Sequence, residues 1–300
     1  MTWLILALLA YFLFAAGSLI DSYLLRGSRL SPKVYSFLVG SGGIVFLILL
    51  PFGFVLPDFS QLVLALSAGV VWNIATYFLY LTITKNEVSR TVPAIGGILP
   101  ICTFFISLLF FPREMRVDFF YFLALFLLMA GSIVITLKKK SDFFQNFGLS
   151  TLTAISFGLG FFLTKVVYLH QDFLSGFVLM RVGGALIGLS FLVSSEVRQT
   201  VFDFRLKKKK EVILPFFLGQ ITGGGAFILQ NYSVALAKIN QIPLINALEG
   251  VRYVFLLFFI FLISRRFPKL LREETTTLSL RQKILGILLI SAGLSLLALL

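Results

Sequence analysis

The sequence has one cysteine, Cys102, and one histidine, His170, in 300 residues. A single cysteine excludes a disulfide within the chain and a metal site built from several cysteines. A single histidine excludes a site built from several imidazoles. We therefore expect neither a metal site nor a cofactor.

Charged residues are also scarce. They make up 13% of the chain, whereas a typical soluble domain has about a quarter. Hydrophobic residues make up 58%, and 35 residues are Phe. This composition indicates a membrane protein that crosses the bilayer several times. The net charge of +13 does not point to nucleic acid, because no RNA- or DNA-binding motif accompanies it. We expect membrane lipids, not nucleic acid, to be the partners of the basic gaps.

A transmembrane helix needs about 20 mostly apolar residues. Divided at charged residues, prolines and glycines, the sequence predicts an all-α integral membrane protein with ten transmembrane helices. The predicted spans are 2–25, 34–54, 62–83, 91–111, 119–137, 147–168, 173–195, 212–235, 242–263 and 284–300. The first span begins at Thr2 without a basic region before it, so we interpret it as a retained helix and not as a signal peptide.

The Lys and Arg residues are distributed unevenly between these spans. The gaps that follow the odd-numbered spans hold 20 of them, and the other gaps hold only three. Because loops rich in Lys and Arg stay in the cytoplasm, we predict that both termini lie outside the cell. The expected location is the plasma membrane.

The last five spans repeat features of the first five in the same order. A proline begins the fourth and ninth spans, a glycine pair lies in the second and seventh, and Phe-x-x-Gly lies in the first and sixth. The fifth and tenth spans share small residues at matched positions. The residues are Pro93 and Pro243, Gly42-Gly43 and Gly183-Gly184, Phe14/Gly17 and Phe157/Gly160, and Ala124/Gly131 and Gly286/Gly293. Because five is odd, the second copy enters the membrane from the opposite side. We predict two inverted repeats, residues 1–140 and 141–300, which form one transmembrane domain.

This pattern resembles the EamA-like members of the drug/metabolite transporter superfamily. The features that carry the resemblance are the five-plus-five helices, the proline at the start of each fourth helix and the closing Gly-x6-Gly-type helix. Lys165 and Arg181 also fall where that family often has basic residues. Two features depart from the family. Glu114 matches its usual acid after the fourth helix only loosely, and family members usually keep both termini in the cytoplasm. The resemblance implies a transporter and not an enzyme.

Three charged residues, Arg181, Glu249 and Arg252, lie near the middle of predicted spans. Each costs about 2.5–3.5 kcal/mol to insert there, so it needs a partner or a wet cavity. Glu249 and Arg252 are three residues apart on one helix face and can pair. Arg181 and Lys165 are left without an acidic partner. Two interpretations stay open: a buried network of Glu249, Arg252 and Arg181, or a hydrated cavity with net positive charge that binds substrate.

Other polar residues extend this candidate substrate site. Each shares a helix face with a second polar residue in the ninth, third or eighth span. They are Asn246 and Tyr253 beside Glu249, then Asn73 with Tyr80, and Gln220 with Asn231. Asp21, in contrast, lies at the end of the first span, and we expect it to reach the membrane interface.

Prolines and a glycine predict a gate. The fourth span contains Pro93 and Pro100, and a proline inside a helix disfavours a straight course. Gly250 occupies the position in the ninth span that matches Pro100. We expect these three residues to form a gate, and a static kink is the alternative.

The sequence has neither an ATP-binding GxxxxGK[ST] loop nor a GxSxG or HExxH motif. We therefore predict a secondary transporter for a small organic metabolite, anionic or zwitterionic, that works by alternating access. It would be proton-coupled or an exchanger, with Glu249 as the candidate for proton coupling. One alternative is a flippase for lipid-linked substrates, to which a lateral opening between helices would point. An intramembrane enzyme and a non-transporting scaffold are further alternatives. A monomer suffices for this mechanism, and a homodimer is left open.

Overall fold

The computed structural model describes residues 2–27, 30–85, 88–115, 118–136, 147–202, 210–266 and 277–299. Every regular element in these ranges is helical, and they contain no strand. The prediction of an all-α protein is confirmed for this part of the chain.

Twelve α-helices lie within the described ranges. They are α1 (Thr2–Ser22), α2 (Pro32–Ser41), α3 (Phe59–Lys85), α4 (Val88–Phe110), α5 (Phe119–Thr136), α6 (Phe147–His170), α7 (Phe173–Ser190), α8 (Ser195–Phe202), α9 (Lys210–Leu236), α10 (Ile242–Ala247), α11 (Glu249–Arg266) and α12 (Thr277–Leu299). Short helical extensions follow three of them: a π-helical turn after α1 (Tyr23–Gly27) and 3₁₀ helices after α2 (Gly42–Phe52) and α7 (Phe191–Val193). A 3₁₀ turn precedes α10 (Ile239–Gln241).

Short polar side chains begin several of these helices. The Ser31 hydroxyl accepts a hydrogen bond from the backbone N–H of Val34 at the start of α2, and Pro32 follows it. At the start of α7, the Asp172 carboxylate accepts one from the N–H of Ser175 at 2.9 Å. Each of these caps satisfies a backbone donor that has no partner inside the helix.

Seven helical segments of the described chain are long and apolar enough to cross a membrane. They correspond to the first three predicted spans and to the sixth to ninth. The remaining three predicted spans contain shorter apolar stretches, Ile95–Phe110 in α4, Phe119–Gly131 in α5 and Ile284–Leu296 in α12. The chain is therefore a helical membrane-embedded protein.

The ninth predicted span is not one uniform helix, because Leu248 separates α10 from α11. Leu248 has a ψ angle of −5°, and its carbonyl accepts the N–H of Val251 at 2.8 Å, a tighter turn than in an α-helix. In contrast, α4 runs without a break through Pro100. The break that Pro100 predicts in α4 is therefore not there. The helix is interrupted instead at Leu248, in the second half of the chain. The side chain of Pro93 is outside the described residues.

The long helices pack in pairs that join the two halves of the sequence. α1 lies along α9, α3 lies along α6, and α5 lies along α12. Further contacts join α4 to α6 and α1 to α11. This packing leaves a central space between the halves, which holds the candidate site.

Glycines let α3 and α7 approach until their backbones touch. A Cβ added to Gly69 of α3 would overlap the carbonyl oxygen of Met180, and one added to Gly183 of α7 would overlap that of Leu66. Small residues at a helix–helix contact are typical of membrane proteins, because backbone approach increases van der Waals contact there.

The contact between α5 and α12 is reciprocal. A Cβ on Gly131 of α5 would lie 2.8 Å from the carbonyl oxygen of Gly286, and a Cβ on Gly293 of α12 would lie 3.1 Å from that of Ala124. The positions matched in the two halves of the sequence thus face each other in exchanged order.

We expect the Gly69→Ala variant to unfold at a lower temperature than the wild type, because the added methyl group pushes α3 away from α7. The expected loss is about 1–3 kcal/mol, the usual effect of overpacking. Thermal unfolding of the purified protein in detergent measures it.

Gly148→Ala is the matched control. Gly148 is also helical, and a Cβ there would meet nothing within 4 Å. Alanine at that position should leave stability unchanged or raise it by up to about 1 kcal/mol. Equal unfolding temperatures for the two variants would contradict the proposed role of Gly69.

Candidate functional site

A cavity of about 520 Å³ lies between the two halves of the chain, at the centre of the helix bundle. Its volume falls within the range of sites for small organic molecules, roughly 300–1,000 Å³. Ten aromatic side chains contribute to its walls: Phe14, Tyr35, Phe46, Trp72, Tyr80, Phe157, Phe161, Phe216, Phe217 and Phe227. Four charged residues also line it: Asp21, Arg181, Glu249 and Arg252.

Glu249 and Arg252 form the predicted ion pair, with 2.5 Å between Glu249 Oε1 and Arg252 Nη1. Arg252 also donates to the Ser18 hydroxyl on α1, from Nε at 3.2 Å and from Nη2. Its guanidinium lies 5.3 Å from the centre of the Phe14 ring. The pair therefore neutralises itself and ties α11 to α1.

Arg181 of α7 lies apart from this pair. Its guanidinium carbon is 5.2 Å from the centre of the Phe46 ring and 5.0 Å from that of Phe227, within the range of cation–π attraction. Its Nε is buried without a hydrogen-bond partner. Among the described residues Arg181 forms no ion pair, so the contacts of the first interpretation join Glu249 and Arg252 but not Arg181. The guanidinium keeps its donors available to a ligand.

Asp21 lines the cavity, and this corrects the expectation that it reaches the membrane interface. Its carboxylate accepts a hydrogen bond from the hydroxyl of Tyr35 at 2.5 Å. The ring of Tyr35 lies 4.6 Å from that of Tyr80, measured between centroids. With two carboxylates and two guanidiniums in the lining, the described charges balance. The formal charges of the described lining therefore do not give the net positive charge of the second interpretation.

Three amides add polar groups to the lining. Asn73 donates from Nδ2 to the carbonyl of Gly184 at 2.9 Å, and its Oδ1 has no partner. Gln230, which the sequence did not single out, has a buried Oε1 without a partner. Gln220 lines the wall opposite Gly42. Together with Arg181, these amides give the lining both donors and acceptors for a polar ligand.

Of the ten predicted substrate-binding residues, six line the cavity: Asn73, Tyr80, Arg181, Gln220, Glu249 and Arg252. The other four are held elsewhere. Lys165 donates from Nζ to the carbonyls of Val234 and Ala235, at 3.4 and 3.3 Å, near the end of α9. A cation at the carboxyl end of a helix is favoured by the helix dipole, which stabilises the ammonium group of Lys165 there.

The remaining three predicted residues serve the packing of the bundle. Asn246 donates from Nδ2 to the Thr103 hydroxyl at 2.6 Å, and Asn231 accepts from the Tyr168 hydroxyl at 3.0 Å. Tyr253 is buried in the hydrophobic core. Of the predicted stripe of Asn246, Glu249 and Tyr253, only Glu249 lines the cavity, and the tight turn at Leu248 lies between it and Asn246.

Two of the predicted gate residues are also not in the cavity wall. Pro100 and Gly250 lie outside its lining, both buried in their helices.

The sequence analysis did not identify the residues of α1 that line the cavity, although their spacing predicts a shared helix face. Phe14, Gly17 and Asp21 are spaced at i, i+3 and i+7, the same rule that identified Asn73 and Tyr80. The described residues contain no group of ligands for a metal ion.

We expect Arg252→Met to lower the free energy of unfolding by about 3–5 kcal/mol, because it leaves the buried carboxylate of Glu249 unpaired. The double variant Glu249→Gln/Arg252→Met should regain part of that loss. Thermal unfolding of both variants and of Glu249→Gln gives the coupling energy between the two residues.

Arg198→Met is the control for the loss of an arginine, because Arg198 is exposed on α8 and should contribute little. Additive effects of the two single changes at Glu249 and Arg252 would show that the ion pair does not stabilise the fold.

Comparison with known proteins shows the fold but no family. No family model and no curated protein matches this chain. A solved structure described only as "Crystal structure of protein" is similar to it with a TM-score of 0.63 and 11% sequence identity. The match covers 98% of this chain and 96% of that one. The arrangement of helices is therefore one that a crystallised protein of nearly the same extent also adopts.

Proposed function

We propose that this chain is a secondary transporter that moves a small organic molecule with an anionic group, or a zwitterion, by alternating access. Ten transmembrane helices form two inverted repeats, 1–140 and 141–300, of the kind found in the drug/metabolite transporter superfamily. Substrate binds in the central cavity, where Arg181 offers its free donors. Coupling to a proton gradient and exchange of two solutes both fit this arrangement.

The helix contacts support the inverted repeat. In an inverted repeat of five, each span of the first half is equivalent to the span five places later. By this equivalence the contact between α1 and α9 corresponds to the contact between α6 and α3, and both contacts are present. α5 and α12 are equivalent to each other, so their contact corresponds to itself. The reciprocal contacts of Gly131 and Gly293 agree with this. Inverted repeats of this kind are typical of secondary transporters, and their substrates bind near the midplane where the repeats meet.

One difference between related helix pairs carries the proposal of alternating access. The same exchange converts the pair α3 and α7 into the pair α9 and α2. α3 and α7 touch through their backbones at Gly69 and Gly183. α2 and α9 instead both line the cavity and meet through side chains such as Tyr35 and Phe216. Two equivalent pairs in unequal states are expected of a transporter held in one of its two conformations. The opposite conformation separates α3 from α7 and brings α2 against α9.

The intramembrane-enzyme alternative has less support. Glu249 and Asp21 both line the cavity, so a second carboxylate is present. Yet Arg252 holds Glu249, and Tyr35 holds Asp21. The scaffold alternative does not account for the buried polar atoms of Arg181, Asn73 and Gln230 that lack hydrogen-bond partners, because each of them costs stability.

We expect Arg181→Gln to lower transport by about tenfold or more in reconstituted liposomes, because a hydrogen bond to a charged group contributes about 1.5–3 kcal/mol. The substrate is first identified by a thermal-shift screen of amino acids, nucleotides, sugar phosphates and organic cations, since a ligand of the native state raises its apparent stability.

Arg198→Gln is the matched control and should transport at the wild-type rate. Undiminished transport by Arg181→Gln would remove Arg181 from the site. Selective stabilisation by organic cations would contradict the proposed charge of the substrate.

We also propose that the protein lies in the plasma membrane with both termini outside, as the Lys and Arg distribution predicts. In a Cys102→Ser background, cysteine introduced at Ser60 should react on intact cells with a maleimide that cannot cross membranes. Cysteine at Gln199 should react only after the cells are opened. Both residues are exposed. The reverse pattern would invert the orientation.

A further inference from the structure

The cavity has a mouth on the outer surface of the helix bundle, between α2 and α9. Among its 34 lining residues, three are largely exposed: Val45 at 70%, Phe217 at 60% and Ile221 at 70%. All three are apolar. Val45 belongs to the 3₁₀ extension of α2, and the other two belong to α9. We call these three residues the lateral mouth.

The lateral mouth lies within two segments that are apolar enough to cross a membrane. Val45 and Ile221 fall well inside Pro32–Phe52 and Ile213–Leu236, and Phe217 falls one turn after the start of the second. The neighbouring side chains that face outward, Ile48 and Leu214, are also apolar, with 70% and 66% exposure. A surface of this composition at this depth contacts lipid chains and not water.

Aromatic contacts bridge α2 and α9 on both sides of this opening. Near the start of both helices, the rings of Tyr35 and Phe216 lie 6.2 Å apart. Eleven residues further along each helix, Phe46 and Phe227 both contact the guanidinium of Arg181. The helices are thus joined at two levels. Between these levels the Gln220 side chain faces Gly42, and the cavity reaches the outer surface beside it. Arg181 stands at one edge of the opening, with its Nε unpaired.

We propose that the substrate is an anionic amphiphile that enters from the bilayer through the lateral mouth. Its acidic group, a carboxylate or a phosphate ester, binds the guanidinium of Arg181, and its apolar chain passes between Val45 and Ile221. A cavity of about 520 Å³ holds the head and the first part of the chain, while the rest stays among the lipids. This inference rests on the transport function proposed above and specifies its substrate class.

Trp72 lines the cavity and reports on its occupancy. The chain has two tryptophans, so Trp3→Phe leaves Trp72 as the single fluorophore. We suggest placing this protein in lipid nanodiscs with brominated stearate, brominated lysophosphatidate or brominated monoacylglycerol, because bromine quenches tryptophan at short range. The first two probes are anionic and differ in the acid, and the third is neutral.

The expected result is saturable quenching of Trp72 by at least one of the anionic probes, and only weak, non-saturating quenching by the neutral one. Stearate and lysophosphatidate together distinguish a carboxylate from a phosphate site. In Arg181→Gln protein the apparent affinity for the anionic probe should fall by about tenfold or more.

Two double variants test the route of entry. Val45→Phe/Ile221→Phe narrows the lateral mouth and should abolish the saturable quenching. Ile48→Phe/Leu214→Phe adds the same rings at equally exposed positions outside the mouth and should leave it unchanged. Thermal unfolding of each variant verifies that it is folded.

Equal quenching by the neutral and anionic probes, or quenching that persists when the mouth is filled, would overturn the inference. The failure of the transport proposal would look different. If a water-soluble anion or zwitterion binds and is transported while no amphiphile quenches Trp72, the transport proposal is supported and the lateral route is contradicted. If an amphiphile quenches Trp72 saturably but does not move between leaflets in liposomes, the amphiphile-binding site is supported and the transport proposal is contradicted.

Discussion

A charge buried among apolar helices needs a partner, and the arrangement of the central cavity follows from how that need is met. Glu249 and Arg252 satisfy each other, and the Tyr35 hydroxyl holds Asp21. Arg181 lies against the rings of Phe46 and Phe227 and forms no ion pair among the described residues. Cation–π contacts replace part of the hydration that an unpaired guanidinium loses in a membrane, but they leave its hydrogen-bond donors unused. The cavity lies beside this guanidinium, whose hydrogen-bond donors have no partner in the part of the chain that the structure describes. A ligand that accepts these hydrogen bonds gains the most binding free energy there.

Features that depend on local sequence were predictable. Apolar length identified the helices, and the spacing of Glu249 and Arg252 was enough to predict their pairing, because residues three apart share a helix face. The same rule placed Asn73 and Tyr80 together on the cavity wall. The matched small residues of the fifth and tenth spans were also informative, since Gly131 and Gly293 lie at reciprocal contacts between α5 and α12.

Features that depend on the neighbours of a helix were not predictable. Lys165 looked like a site residue because no acid could reach it, yet backbone carbonyls at the end of α9 satisfy its ammonium group. Tyr253 and Asn246 were assigned to the site on the assumption of a regular helix, which the tight turn at Leu248 breaks. Asp21 was assigned to the interface from its position near the end of a span. The Tyr35 hydroxyl of α2 decides otherwise, because it donates a hydrogen bond to the carboxylate in the cavity wall.

The contact between α3 and α7 is made by backbone atoms at Gly69 and Gly183, and this affects how readily it can reverse. When two surfaces of long side chains join, each side chain loses rotamer freedom, and that entropy opposes association. Glycine has no rotamers to lose. Two helices that meet through glycines can separate and rejoin with few side chains ordered or released at the contact. Asn73, which donates to the Gly184 carbonyl across it, has to exchange this hydrogen bond for another. The rest of the free-energy difference between the joined and separated states comes from dispersion, which is small for each atom pair and acts only at short range.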